Sequence, residues 1–327
     1  MTTSANPPNR NRYLVSRFFL PALALVLIIV FSLALPNTFP TTATAQSILD
    51  SSAIIAILAL AEMIVVIIGE YDLSVGYMVG LQCILTVGFI VKEHLAWPLA
   101  VLFVLLIGTG VGLINGLLVY VFKIDSFIAT LGIGTVAFGV ANWYTQGSQL
   151  FGDLPAGFTT IYSWRVGGIP VSAFYIVVLA AILWFVLEYT PTGRYMYALG
   201  ANRRASELTG ISSRRMVTGA FMVSGLIVGA AGVILASRLR VGSVSTGPDY
   251  LLPVFVGAIL GSTTIKPGRP NAWGTVIAVL LLGIGIGGLQ QLGAQFFVSP
   301  LFNGITLILG VGIAGYASRR TRKAKRS

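Results

Sequence analysis

Charge is what this chain has least of. Only 9% of its 327 residues are Asp, Glu, Lys or Arg, and 56% are hydrophobic, whereas soluble domains carry roughly 25% charged residues. A water-soluble core of this size could not hide so much apolar surface. The mean hydropathy of +0.88 therefore predicts an all-α, polytopic integral membrane protein. Histidine and cysteine occur once each, as His94 and Cys83. Disulfides, cysteine-based metal sites and a Ser/His/Asp or Cys/His set away from His94 are thereby excluded. The sequence holds no G-x-x-x-x-G-K-[ST] loop, so it cannot bind and split ATP by that route. Paired carboxylates have few places to form among ten acids. An enzyme is not expected, nor a cofactor or metal site.

Long apolar runs are what the chain does have. A window near 19 residues finds ten of them, at approximately 18–35, 51–69, 74–91, 97–122, 126–145, 171–188, 216–236, 250–265, 272–290 and 299–316. The first resembles a secretion signal, with Arg10, Arg12 and Arg17 before it and Ala43-Thr44-Ala45 after it. Its run is too long for that, and the small residues lie well beyond its end. It reads as an uncleaved first span. The expected organisation is a tail at 1–17, a membrane domain at 18–316 with a cytoplasmic loop at 190–215, and a basic tail at 317–327.

Lys and Arg in alternate loops test the orientation. One set holds Arg10, Arg12, Arg17, Lys123, Arg194, Arg203, Arg204, Arg214, Arg215, Lys266, Arg269 and six cations between Arg319 and Arg326; the other holds only Lys92, Arg165, Arg238 and Arg240. Seventeen against four fits ten spans with both termini cytoplasmic. It also accounts for the net charge of +11 through topology and anionic lipid headgroups, with no nucleic-acid partner.

Polar residues inside apolar runs are few. Glu62 is the clear ionisable candidate deep in the bilayer, and an ion-coupled carrier would use it. Asn115, midway along the fourth run, needs a partner in lipid and reads first as interhelical glue. Gly69-Glu70-Tyr71-Asp72-Leu73-Ser74-Val75-Gly76 should face the cytoplasm, yet it carries two acids and no cation. Asp72 and Ser74 can bond amides of the helix that follows, as a cap or as part of a re-entrant turn. The eighth run is short, contains Pro253 and follows Gly247-Pro248-Asp249, a pattern that transporters place near ligands. Asp72, Ser74, Asn115, Thr130 and Asp249 are the candidates for a solute path. Glycines recur every four residues at Gly108, Gly112 and Gly116, at Gly225 and Gly229, and at Gly283 and Gly287, a spacing that lets helices approach closely.

The polar interruption Thr190–Met216 has structure of its own. Ala201, Ala205 and Leu208 fall at helical spacing on one narrow face, Arg203 and Glu207 can pair on the flank, and Gly210 supplies a stop. A flat apolar stripe on a basic loop predicts a surface gripped by another protein.

Three stretches together resemble the permeases of bacterial ATP-binding-cassette sugar importers, ribose-type branch, within the branched-chain amino acid and monosaccharide permease superfamily. GEYDLSVG resembles that family's G-G-I-D-L-S-V-G. INGLLV and FIATLG resemble its I-N-G-L-L-V and F-I-V-T-L-G. TPTGRYMYALGANRRASELTGI resembles its cytoplasmic segment R-x-G-R-x-x-Y-A-x-G-x-N-x-x-A-A-x-x-x-G-I. The likeness runs from about residue 50 to the end. It implies a cytoplasmic ATPase subunit, a second permease in a homodimer or heterodimer and an extracytoplasmic sugar-binding protein. It further implies a monosaccharide or related polyol as cargo. Gly200, Ala201, Asn202, Ala205, Leu208, Gly210 and Ile211 would dock on the ATPase. Three departures stand out: Glu70-Tyr71 for Gly-Ile, Asp125-Ser126 where proline is common, and Ile265-Lys266-Pro267-Gly268-Arg269-Pro270 for a glycine-rich turn. Alternatives are a nucleoside or branched-chain amino acid cargo, or the ion-coupled carrier built on Glu62.

Overall fold

The computed structural model describes residues 10–308, and nine of its helical segments are long and apolar enough to cross a membrane. The chain runs α1 (Arg10–Ala34), α2 (Thr42–Ile67), α3 (Ser74–Val91), α4 (Trp97–Tyr120), α5 (Ser126–Thr145), a loop helix α6 (Ala156–Ser163), α7 (Val171–Tyr189), α8 (Pro191–Ala201), α9 (Arg203–Leu208), α10 (Ser213–Leu239), α11 (Leu251–Gly261) and α12 (Ala272–Gln291). It continues into α13 (Val298–Ile308). Strand content is confined to two tiny antiparallel ribbons: β1 (Leu150–Phe151) with β4 (Val241–Gly242), and β2 (Arg165–Val166) with β3 (Ile169–Pro170). The protein is an all-α, polytopic membrane protein. The tenth expected span, 299–316, begins within α13 and continues outside the described residues, as do the tail 317–327 and residues 1–9.

Most expected boundaries fall within a few residues of the helices, with two instructive exceptions. α2 starts at Thr42, well before the expected residue 51. Thr41 caps it, its hydroxyl accepting from the Thr44 amide at 3.2 Å, so a first turn too polar for a hydropathy window is helical all the same. The eighth run is helical only from Leu251 to Gly261. Before it the backbone forms two 3₁₀ turns, Val244–Thr246 and Pro248–Tyr250.

α2 is the central mast, packing against α7, α10, α11 and α12, and α3 is enclosed even more fully. The glycine ladder of α4 seats on α10: side chains at Gly108, Gly112 and Gly116 would meet the Gly225, Phe221 and Thr218 backbones. Removing side chains along both faces lets two antiparallel helices touch through their main chains. The stretch after α10 runs back along α3, with Gly242 against Ile84, Gly247 against Gly80, and Leu251 against Gly76. Irregular backbone at membrane depth is thus covered by protein, as its unpaired peptide groups require.

Contacts sort the loops onto two faces. One face joins Glu70 to Arg203, Glu188 to Lys266 and Arg269, and the Arg17 carbonyl to Thr264 and Ile265. The other joins Asp50 to Arg165 and Arg238 to the Tyr162 ring. This partition matches the alternate-loop count. Residues 146–170 are an ordered cover: α6 buries Phe158 completely, and Ser237 on α10 accepts the Tyr162 amide and donates to the Phe158 carbonyl. Burial pushes the Tyr162 phenol up to about 12.

Candidate functional site

The turn between α2 and α3 is held by side chains at every step. Three successive amides, of Tyr71, Asp72 and Leu73, donate to Ser126 Oγ, Glu62 Oε1 and Thr130 Oγ1 at 3.2, 3.2 and 2.8 Å. A turn inside the protein cannot leave its amides to water, so α2 and α5 supply oxygens instead. Asp72 Oδ1 then accepts the Ser74 amide at 3.0 Å, as the sequence pattern predicts for a helix start. Asn115 on α4 donates to Ser74 Oγ at 3.0 Å and reaches Asp72 Oδ1 at 3.5 Å.

Four of the five candidate path residues, Asp72, Ser74, Asn115 and Thr130, are therefore brought together. They are 3% exposed or less, and the cavity that Asp72, Ser74 and Asn115 line is only about 10 Å³, room for one water at most. In this conformation they line no space large enough for a solute; they pin a turn. Asp249 takes no part in these bonds and is exposed in its 3₁₀ turn. Glu62, the residue on which an ion-coupled carrier would depend, is 0% exposed and serves the Asp72 amide.

The basic loop corrects two expectations. Ala201, Ala205 and Leu208 do not share one helix. α8 ends at Ala201, and Asn202 takes an extended conformation (φ −159°, ψ 99°) whose side chain caps α9 by accepting the Ala205 amide at 3.0 Å. Arg203 pairs with Glu70 at 2.8 Å rather than with Glu207. Gly200 is exposed at the end of α8 and also packs closely on α2, because a side chain there would strike the Ile67 carbonyl. Gly210, at φ +85°, ends the segment as expected.

What remains outward is compact. Ala205 and Leu208 on α9 are exposed, Leu208 by 84%, while Ile211 is half-buried. Beside them lies an open recess of about 830 Å³, edged by Glu70, Lys123, Asp125, Arg203, Glu207 and Arg214. A projecting leucine beside a recess of mixed charge is chemistry for gripping a protein surface, since neither feature alone encloses a small ligand.

Two fastenings escaped the sequence reading. The Arg269 guanidinium lies 3.6 Å over the Tyr197 ring, the Tyr197 hydroxyl donates to the Pro270 carbonyl at 2.7 Å, and Lys266 pairs with Glu188 at 2.5 Å. Burial raises the Tyr197 phenol above its ordinary value although Arg269 opposes it. The only sequence signal was the departure of residues 265–270 from the family pattern. The second fastening is Glu70 to Arg203, which joins α9 to the pinned turn.

Residues 44–313 match the family model described as branched-chain amino acid transport system / permease component. The chain is similar to the ribose import permease protein RbsC of Haemophilus influenzae, 32% identical over 92% of this chain and 93% of that one. It is also similar to RbsC of Bacillus subtilis, 34% identical over 89% and 90%. To the D-allose transport system permease protein AlsC of Escherichia coli it is 27% identical over 88% of each. No solved structure matches it significantly.

Proposed function

The chain belongs to the branched-chain amino acid transport system / permease component family, a multi-pass bacterial inner-membrane protein, and we propose that it is the permease subunit of an ATP-binding-cassette importer for a monosaccharide or related polyol. The relatives named for ribose and allose support the cargo class. ATP is bound and hydrolysed by a partner that docks on α9, and an extracytoplasmic binding protein delivers the solute to the opposite face. A second permease, identical or divergent, completes the path.

The observation that carries the reading is the mounting of α9. Its outward side offers Leu208, its Arg203 is tied to Glu70, and Gly200 seats the preceding helix on α2. A helix so fastened transmits displacement. When the ATPase pair closes, α9 carries force through Arg203–Glu70 into the turn at 70–73, and through that turn into α3 and α5. An element with two positions, biased by nucleotide at one end and cargo at the other, is all that alternating access requires.

The test is uptake in proteoliposomes holding this chain, its ATPase and its binding protein. ATP depletion stops uptake, and ionophores that collapse ion gradients leave it intact. The opposite pattern would transfer the chain to the ion-coupled carriers and return attention to Glu62.

A further inference from the structure

A groove of about 350 Å³ lies between α2 and α12 on the half of the bundle farther from α9, closed on one side by α13. Its polar lining comes from Thr44, Ser47, Ser51 and Ser52 on α2, Gln290 and Gln291 on α12, and Asn303 on α13. Ser52 stands ten residues into α2, about 15 Å along its axis, so this polarity reaches well below the membrane surface. Hydrocarbon gives such groups nothing to bond with.

We propose that this groove binds a neutral, polyhydroxylated solute on the translocation route. The inference rests on the importer reading above and adds the location of the solute and its chemical class. Among the described residues six buried side-chain oxygens have no partner, and two of them belong to this groove: Ser52 Oγ and Asn303 Oδ1, on side chains 1% and 6% exposed. Both line the groove, and orphaned polar atoms inside a protein mark a missing ligand or water. Space for it is built in by glycine. A side chain at Gly283 would strike Ser52 Oγ, and one at Gly287 would crowd Ile48. Near one end, Gln291 donates to Thr44 Oγ1 at 3.0 Å and ties α12 to α2.

The class of solute follows from what the lining omits. None of the lining residues is charged. An amino acid brings a carboxylate and an ammonium, and an uncharged slot at bilayer depth pairs neither. Hydroxyls and carboxamides match a sugar group for group, each able to donate and accept. The volume lies at the small end of ordinary ligand pockets, roughly 300–1,000 Å³, which suits a single sugar ring. The family description covers branched-chain amino acids, and the lining favours the sugar side of it.

Thiol labelling tests the site. Cys83, the only cysteine, is buried, so the unsubstituted chain is the blank. In the assembled importer, Ser47→Cys and Ser51→Cys change exposed side chains by one atom each. They should react with the water-soluble anion 2-sulfonatoethyl methanethiosulfonate at least tenfold faster than Leu102→Cys, whose side chain is half exposed on the apolar surface of α4. Labelled Ser51→Cys should lose at least tenfold in ATP-dependent uptake, with D-ribose, D-allose and L-leucine as probes. If Ser47→Cys and Ser51→Cys are as inert as Leu102→Cys, or if labelled protein transports normally, the groove is not on the route. If L-leucine is the probe carried and blocked, the neutral class is wrong. Absence of ATP-driven uptake in the unsubstituted complex would instead overturn the importer reading, leaving the reactivity comparison to judge the groove alone.

Discussion

Glu70 stands where the ribose-type pattern has glycine, and the second departure, Asp125-Ser126, lies beside it. Glu70 holds Arg203. Tyr71 stacks on Phe255 of α11 with ring centroids 6.2 Å apart, and its amide is held by Ser126, itself part of the second departure. Asp125 caps α5 by accepting the Phe127 amide at 3.0 Å. Lys266 and Arg269 of the third departure hold Glu188. Glu70, Lys266 and Arg269 thus tie segments of the α9 face to one another, whereas Asp125 serves its own helix. Reversing the Glu70–Arg203 pair tests its part. The two side chains are 41% and 13% exposed, so solvent screens the bond and its loss costs about 1 kcal/mol, roughly fivefold in an equilibrium. Glu70→Arg or Arg203→Glu should lower solute moved per ATP hydrolysed by about fivefold or more, and the double reversal should recover most of it. Equal ratios in single and double variants would separate the pair from coupling. Leu208→Asp acts earlier. With 84% of the leucine exposed, the variant should fold and reach the membrane while the ATPase no longer co-purifies. Normal co-purification would remove α9 from the docking surface.

Among elements, α4 and α10 show most plainly how much a sequence discloses. The four-residue glycine spacing on α4 announces close packing, but nothing in it names α10 as the neighbour, because that choice depends on which helices the loops bring alongside. The same holds for the pinned turn. Asp72, Ser74, Asn115 and Thr130 stand out as polar groups in apolar surroundings and so must have partners. That Asn115 reaches Ser74 and Asp72 around a gap of about 10 Å³, while Thr130 holds the Leu73 amide, is decided by how α3, α4 and α5 pack. α3 and α12 were legible almost to the residue, since apolar runs there end at polar or glycine-containing turns. The break at Asn202 was not, since an Asn inside a helical pattern and an Asn capping the next helix look alike without the backbone angles. Glycine register can be tested directly. Gly112→Val drives two methyl groups into the Phe221 carbonyl, whereas Gly110, two residues away, has open space around it. Overpacking costs about 1–3 kcal/mol, so Gly112→Val should lower the detergent-solubilised melting temperature by several degrees and Gly110→Val should leave it nearly unchanged. Similar shifts in both would mean that α4 is rotated from the orientation described.

For the whole molecule, the two charge sets and the two functional surfaces must agree on direction. Among the described residues, the face bearing α9, Glu70, Lys266 and Arg269 also carries Lys123, Arg203 and Arg214, and the other face carries Arg165, Arg238 and Lys92. Cations are retained on the cytoplasmic side, which supports the proposed orientation, with α9 facing the cytoplasm, where ATP is. The groove between α2 and α12 then lies in the outer half, where a binding protein would release its solute. Import is the direction that the proposed order would give: polar groove first, pinned turn between, driven helix last. Two exposed residues report the direction independently of transport, Ser212 at the start of α10 and Asp153 in the loop before α6. In cells with a permeabilised outer envelope and a sealed inner membrane, Asp153→Cys should label with the impermeant sulfonate reagent. Ser212→Cys should label only after the inner membrane is opened. Labelling in the reverse order would put α9 outside, away from any nucleotide, and neither the docking assignment nor the direction of the route would survive it.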